Sequence, residues 1–336
     1  MNDKFFIRIN GIGHAFSREL GCTCDRCRVV NFAMANPPKT LEPFRGWDDP
    51  PWRAHTSASI LIPMDNANVQ HHILIDVGAG VVDSLMCSGL EGLDQVDALL
   101  ITHWHPDHVL ALNQFCESMK RSAKSKGRTF QKIPLFCTLE TYEHLREKGG
   151  QSYVLQNHLA LREILPEQPF KLNTEPVVQF TPIPVAHGGI KGAVIFLAEI
   201  GSKKVVFAWD IDVPCKELPS DGITNHDVIK RNIDKFDKTE ILFIEATTWN
   251  ADGTKDGGGK ETGHVSYRRA KDYISLINAN NVFFVHMSGH EDGVGNDGYG
   301  WTDSRWESEV QQDGIKNKIA RQGMVIEVKY ERIENA

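Results

Sequence analysis

Short apolar, β-branched runs recur along the whole chain, at residues 5–9, 59–62, 73–77, 98–101, 134–136, 177–183, 194–200, 204–209, 241–245, 282–285 and 324–328. Each has strand length and is bounded by Gly, Pro, Asn or Asp, residues that end a strand by favouring turns. Stretches with helical spacing of apolar residues fall at 108–124, 141–162, 224–235, 267–278 and 304–321. Strands outnumber helices, and the helices follow groups of strands. A strictly alternating βαβ chain would place a helix after every strand, so the pattern predicts two sheets packed face to face with helices outside. Three segments read as loops: the Pro-rich 36–52, 250–263 with its run Gly257, Gly258 and Gly259, and the glycine-rich 289–301. Their glycine content predicts mobility beside a cleft. No short repeat, heptad or low-complexity tail is present.

Composition narrows the class. The chain has 336 residues, 41% hydrophobic and 24% charged, enough apolar surface for a core and unlike a disordered protein. Its 37 basic and 44 acidic residues leave a net charge of −7, which disfavours a general phosphate-backbone binder. The densest basic run carries Lys120, Arg121, Lys124, Lys126 and Arg128, and such a run is usually a solvated helix end. No stretch approaches the roughly 18 apolar residues that span a bilayer, and charge interrupts the N-terminal run too early for a secretory segment. The expected location is cytoplasmic, without membrane contact.

Cysteine usage points to a metal. Three of seven, Cys22, Cys24 and Cys27, form a C-x-C-x-x-C cluster, whereas Cys87, Cys116, Cys137 and Cys215 are scattered singly. Three soft thiolates suit a tetrahedral zinc with a fourth ligand from a distant segment; buried reduced thiols are the alternative.

The densest chemistry follows the run 98–101. His103, His105, Asp107 and His108 form the pattern H-x-H-x-D-H. Period-two spacing points His103 and His105 the same way, and a turn at Pro106 brings Asp107 and His108 to a second position. Two imidazoles for one metal and a carboxylate plus imidazole for the next suit a dinuclear hydrolytic site. The competing reading makes Asp107 a helix cap. His187, Asp210 and His286 each stand where an apolar strand ends, so several strand ends would converge on one cleft.

These residues, in this order and with Asp76 upstream in Leu74-Ile75-Asp76-Val77-Gly78, resemble the metallo-β-lactamase superfamily. The resemblance implies an α+β fold, an αββα sandwich of two mixed sheets with helices outside. It implies one domain over residues 1–336, with insertions at about 36–52, 111–175, 250–263 and 289–303. By the resemblance His103, His105 and His187 bind one metal, Asp107, His108 and His286 bind a second, and Asp210 bridges them. Asp76 looks like a carboxylate that orients the motif without ligating. The cysteine cluster, with Gly11 and Gly13 before it, resembles the PhnP-like branch of cyclic phosphodiesterases, which carry a structural zinc. There Cys22, Cys24 and Cys27 would be joined by His290, which lies four residues after His286 where the branch pattern has three; His14 is the alternative fourth ligand. His264, 22 residues before His286, matches the histidine that protonates the leaving oxygen in that branch, with a helix-capping or surface histidine as the other reading.

The function implied is a phosphodiesterase acting on a small, cyclic or acyclic, phosphodiester through a hydroxide held between two divalent ions. Those ions would be zinc or manganese, with iron a further option, besides one structural zinc. A thioester or lactone hydrolase shares the ligand set. A tRNase Z-like nuclease is disfavoured by the acidic charge, and a catalytically silent binding protein by the complete ligand set. The expected partner is a small anionic substrate, neither nucleic acid nor membrane, with homodimer formation left open. Trp249, Trp301 and Trp306 could line its pocket or simply pack.

Overall fold

The computed structural model describes residues 4–14, 53–63, 69–88, 90–219, 222–249, 264–287, 301–313 and 318–331. The first half of the chain runs β1 (Lys4–Gly11), β2 (Ser57–Pro63), β3 (Val69–Ile75), α1 (Val81–Met86), β4 (Ala98–Leu100), α2 (Pro106–Val109), α3 (Leu112–Ser125), β5 (Ile133–Cys137), α4 (Leu139–Glu147), α5 (Ser152–His158) and β6 (Leu159–Glu163). The second runs β7 (Phe170–Leu172), β8 (Val178–Pro184), β9 (Val194–Ile200), β10 (Lys203–Ala208), α6 (Asn225–Arg231), α7 (Ile233–Phe236), β11 (Thr239–Glu245), α8 (Tyr267–Ile277), β12 (Asn281–Val285), α9 (Asp303–Gln312), β13 (Lys318–Ile319) and β14 (Val325–Lys329).

The strands form two seven-stranded sheets, ordered β14-β1-β2-β3-β4-β5-β6 and β13-β12-β11-β10-β9-β8-β7. Both are mixed. In the first, β14, β1, β2 and β3 pair antiparallel, and β3, β4, β5 and β6 pair parallel. In the second, β7 to β10 pair antiparallel and β10 to β13 parallel. This is the two-sheet sandwich expected from the strand pattern.

Alternation along the strands explains the layers. On β3, Ile73 and Ile75 enter the core between the sheets, while Leu74 joins a second cluster beneath α1 and α3; on β4, Ala98 and Leu100 divide from Leu99 in the same way. Strands buried on both faces read as unbroken apolar runs, because period two sends successive side chains to opposite cores. Among the described residues no helix is long and apolar enough to cross a membrane.

The helical expectations need correction at their ends. The stretch 141–162 divides into α4 and α5, broken at Gly149 and Gly150, and its last residues pair as β6. The stretch 108–124 belongs to two helices, because Pro106 opens a single turn that ends before Leu112. The stretch 304–321 ends at Gln312, and Lys318 and Ile319 pair with β12. Short edge strands with few apolar residues leave no periodic signal.

Candidate metal centre

Parallel strands deliver their carboxyl ends to one edge of a sheet, where ligand sites in such sheets form. Here β3 and β4 bring Asp76 and the segment after Leu100; β10, β11 and β12 bring Asp210, Glu245 and His286. His187 follows the last strand residue of β8 by three. His103, Asp107, His108, His187, Asp210, Glu245 and His286 are all buried.

Local structure fixes the contiguous ligands. His105 precedes the first turn of α2 and Pro106 occupies its first position, so Asp107 and His108 turn back toward the cleft. The loop is pinned from β3's end: Val77 N donates to His108 O at 2.7 Å, and Ala111 N to Val77 O at 3.1 Å. A side chain at Gly78 would collide with the carbonyl of Asp107, which is the reason for glycine there.

The candidate ligand atoms of the seven expected residues gather in two groups. Those of His103, His105 and His187 lie within 4.8 Å of one another, with His187 Nε2 3.0 Å from His105 Nδ1. Asp107, His108, Asp210 and His286 form the second group within the same limit. His108 Nε2 and His286 Nε2 stand 2.9 and 3.1 Å from Asp210 Oδ2, and each stands 3.4 Å from Asp107 Oδ2. Asp210 turns its other oxygen, Oδ1, to His187 Nε2 at 3.3 Å. One carboxylate oxygen therefore faces each group.

The donor set fits a metal on its own chemistry. His103 Nε2, His108 Nε2 and both carboxylate oxygens of Asp210 are buried and make no hydrogen bond. Such groups cost free energy to bury unless something binds them. Ligands around a tetrahedral ion at 2.0–2.1 Å lie about 3.3 Å apart, and the contacts at Asp210 and Asp107 span 2.9 to 3.4 Å. His103, His105 and His187 could hold one cation, and Asp107, His108 and His286 a second, with Asp210 shared.

Electrostatics agree with that assignment. Burial pushes His103 well below the usual imidazole range and His105 down to about 4, leaving neutral rings able to ligate. Burial also opposes the charged forms in the second group, but there the charges overcome it. Asp210, Asp107 and Asp76 hold His108 well above its ordinary value, and Asp210 foremost lifts His286 to about 9. Against the same burial penalty, His108 and His286 hold the Asp107 and Asp210 carboxyls well below theirs. Protons thus balance the carboxylates where dications would.

The outer partners are built with equal care. Asp76 accepts from Thr102 N (2.9 Å) on Oδ1, and from Thr102 Oγ1 (2.7 Å), His108 Nδ1 (2.8 Å) and Trp209 Nε1 (2.7 Å) on Oδ2. It orients His108, as expected of it. Glu245 accepts from His264 Nδ1 at 2.7 Å and from Thr247 Oγ1, and His264 Nε2 meets His14 Nε2 at 3.0 Å. Burial alone would raise the Glu245 carboxyl, yet His264 pushes it down to about 2. The cap of α8 is Ser266, so His264 is not a capping residue. Its Nδ1 lies 3.7 Å from Asp210 Oδ1, at the edge of the cluster. Asp76, Asp210 and His286 have left-handed backbones with φ of 56°, 57° and 55°. A non-glycine residue there costs roughly 1–2 kcal/mol, which the surrounding contacts offset.

All seven expected catalytic-metal residues and His264 come together. Cys22, Cys24, Cys27 and His290, like the loops 36–52 and 250–263, lie outside the described residues. Sequence reasoning missed Glu245, Asp212, Trp209, His14 and His55 as neighbours of the site. Glu245 carried the same signal as Asp210, a carboxylate closing an apolar strand. Asp212 stands 3.4 Å from His187 Nδ1 and accepts from Gly188 N. His55, unremarkable in sequence, accepts from Ala79 N at 3.1 Å, and burial pushes it down to about 4. Other histidines are satisfied elsewhere: His72 between Ser59 Oγ and Leu93 O, His158 on Glu117, His144 stacked on Trp104. Trp249, Trp301 and Trp306 pack on one another with ring centroids 5.4 to 5.7 Å apart.

Two mixed sheets with helices, and a His/Asp cluster where their strand ends meet, define the metallo-β-lactamase sandwich. Residues 71–287 match the family model "Beta-lactamase superfamily domain", and the chain belongs to that superfamily of hydrolases. By fold it is similar to a diphosphatase from the PhnP family, with TM-score 0.62, 18% identity and 98% of each chain covered. It is also similar to Zn(2+)-bound PqqB from Methylobacterium extorquens (TM-score 0.62, 14% identity, 96% of this chain and 99% of that one). Human tRNase Z, short form, matches with TM-score 0.56 and 16% identity over 96% of this chain and 98% of that one. No curated protein matches by sequence.

Proposed function

We propose that the chain is a metal-dependent phosphodiesterase for a small anionic substrate. The observation that carries this reading is Asp210, a buried carboxylate with one oxygen toward each histidine group and no hydrogen bond on either. Two divalent cations bound there would supply the chemistry, lowering the pKa of water and neutralising charge that builds on phosphoryl oxygens. His103, His105 and His187 would hold one, Asp107, His108 and His286 the other, and Asp210 would face both.

The chain's own groups do the rest. Glu245 accepts the His264 Nδ1 proton, which leaves Nε2 to take up a second proton and, from the imidazolium so formed, to hand it to a leaving oxygen. His14 Nε2 stands 3.0 Å from His264 Nε2. The fold neighbours named as a diphosphatase and a tRNase Z support phosphoryl chemistry as the substrate class. Nucleic acid is disfavoured: in the basic run Lys126 and Arg128 are engaged with Asp94, and Lys120 sits 3.9 Å from Glu117. Cys22, Cys24 and Cys27 with His290 are proposed to hold a structural zinc.

The test is hydrolysis of bis(p-nitrophenyl) phosphate beside a thioester and a lactone, before and after chelation. Chelator-sensitive cleavage of the phosphodiester is expected. Cleavage of the thioester or lactone alone would move the substrate class while keeping the site, and no chelator-sensitive turnover on any of the three would contradict an enzyme.

A further inference from the structure

The two halves of the centre come from different sheets, and a non-ligating side chain joins them at the level of the ligands. Trp209 is buried immediately after β10 and immediately before Asp210. Its Nε1 donates across to Asp76 Oδ2, at the end of β3 in the other sheet, at 2.7 Å. That oxygen also accepts from His108 Nδ1 at 2.8 Å and from Thr102 Oγ1 at 2.7 Å. The indole ring packs edge-on to Phe207, centroids 5.7 Å apart, within the core between the sheets.

We propose that Trp209 is a positioning residue of the metal centre: its N–H holds Asp76, and through it His108, in register with Asp210. This rests on the metal-centre reading above. An indole has one donor and no acceptor, so its single polar capacity is committed to this contact. Asp210 leaves the same stretch of backbone, one residue on. A shift of the Trp209 ring would therefore change the 2.9 Å separation of His108 Nε2 from Asp210 Oδ2, the contact that spans the sheets. Partners behind a ligand orient it and tune its affinity. Here one of them is carried by the opposite sheet.

The test replaces Trp209 with Phe and, separately, with β-benzothienylalanine, which keeps the ring shape and deletes only the N–H. Cobalt(II) affinity is read by chelator competition, and coordination by the visible spectrum of the cobalt form. Both replacements should weaken one of two cobalt sites about 10- to 100-fold and alter its absorption bands; the benzothienyl protein should keep the thermal midpoint of the metal-free protein, whereas the smaller Phe should lower it. In an Asp76→Asn background, Trp209→Phe should cause no further loss, since the two act as one unit. Wild-type affinity and spectrum in the benzothienyl protein would overturn the proposal, as would an equal loss with and without Asp76. A wild type that binds no cobalt would overturn the metal-centre reading itself, whereas tight wild-type binding with unchanged variants overturns only the role of Trp209.

Discussion

The first sheet gives its candidate ligands from one six-residue segment, His103 to His108, whereas the second gives His187, Asp210 and His286 from three strand ends far apart in the chain. In the first half the backbone does the placing: a strand end, then Pro106 opening a single helical turn. In the second, placement is tertiary. Asp210 and His286 sit in left-handed conformations, with Glu245 behind His286 and Asp212 behind His187. A local half can be preformed by a few residues, but a dispersed half exists only when β8, β10, β11 and β12 are in register. The shared Asp210 couples the two, so the centre should report on the packing of the sheets.

The largest expected effect is on that coupling. Asp210→Ala should bring phosphodiester hydrolysis to background, because it removes the carboxylate that faces both groups. Steady-state rates on bis(p-nitrophenyl) phosphate check this, and retained turnover would uncouple the halves. Next, His264→Ala should lower kcat roughly 10²- to 10⁴-fold with metal content unchanged, measured by metal analysis beside kinetics. Lost metal would make His264 a ligand instead.

Chelation compares the halves by stability. Ions that bind only the folded state stabilise it by about 4 kcal/mol at a thousandfold excess over Kd, so stripping them should lower the thermal midpoint by several degrees. An unchanged midpoint would mean the sheets are held by their apolar core alone. Smaller still, Asp76→Asn and Asp212→Asn should each weaken metal binding about 10- to 100-fold, the first more than the second. Asp76 makes four hydrogen bonds, one to His108 at 2.8 Å, while Asp212 stands 3.4 Å from His187. A reversed order in chelator competition would show that the dispersed half depends more on its outer partner.

The same contrast explains what could be read from the chain. The H-x-H-x-D-H segment was legible because its geometry is local. His187, Asp210 and His286 were legible because each ends an apolar run, and Glu245 was overlooked although it ends one too. His14 read only as an alternative ligand for the cysteine cluster and His55 had no signal: they reach the site because β1 and β2 pair and Gly13 bridges to both His55 and Met287. Trp209 read as the last apolar residue of a strand, and its donor role depends on the opposite sheet. The sandwich itself was legible from buried strands, while β6, β7 and β13 were not, being edge or near-edge strands of two to five residues.

The most direct measurement is metal content per chain of the wild type and of Asp210→Ala, both folded by circular dichroism. The account predicts about three ions in the wild type, two in the catalytic groups and one zinc on the cysteine cluster, and about one in the variant. A wild type with one ion or none, or a variant that keeps the full complement, would contradict a centre built around Asp210.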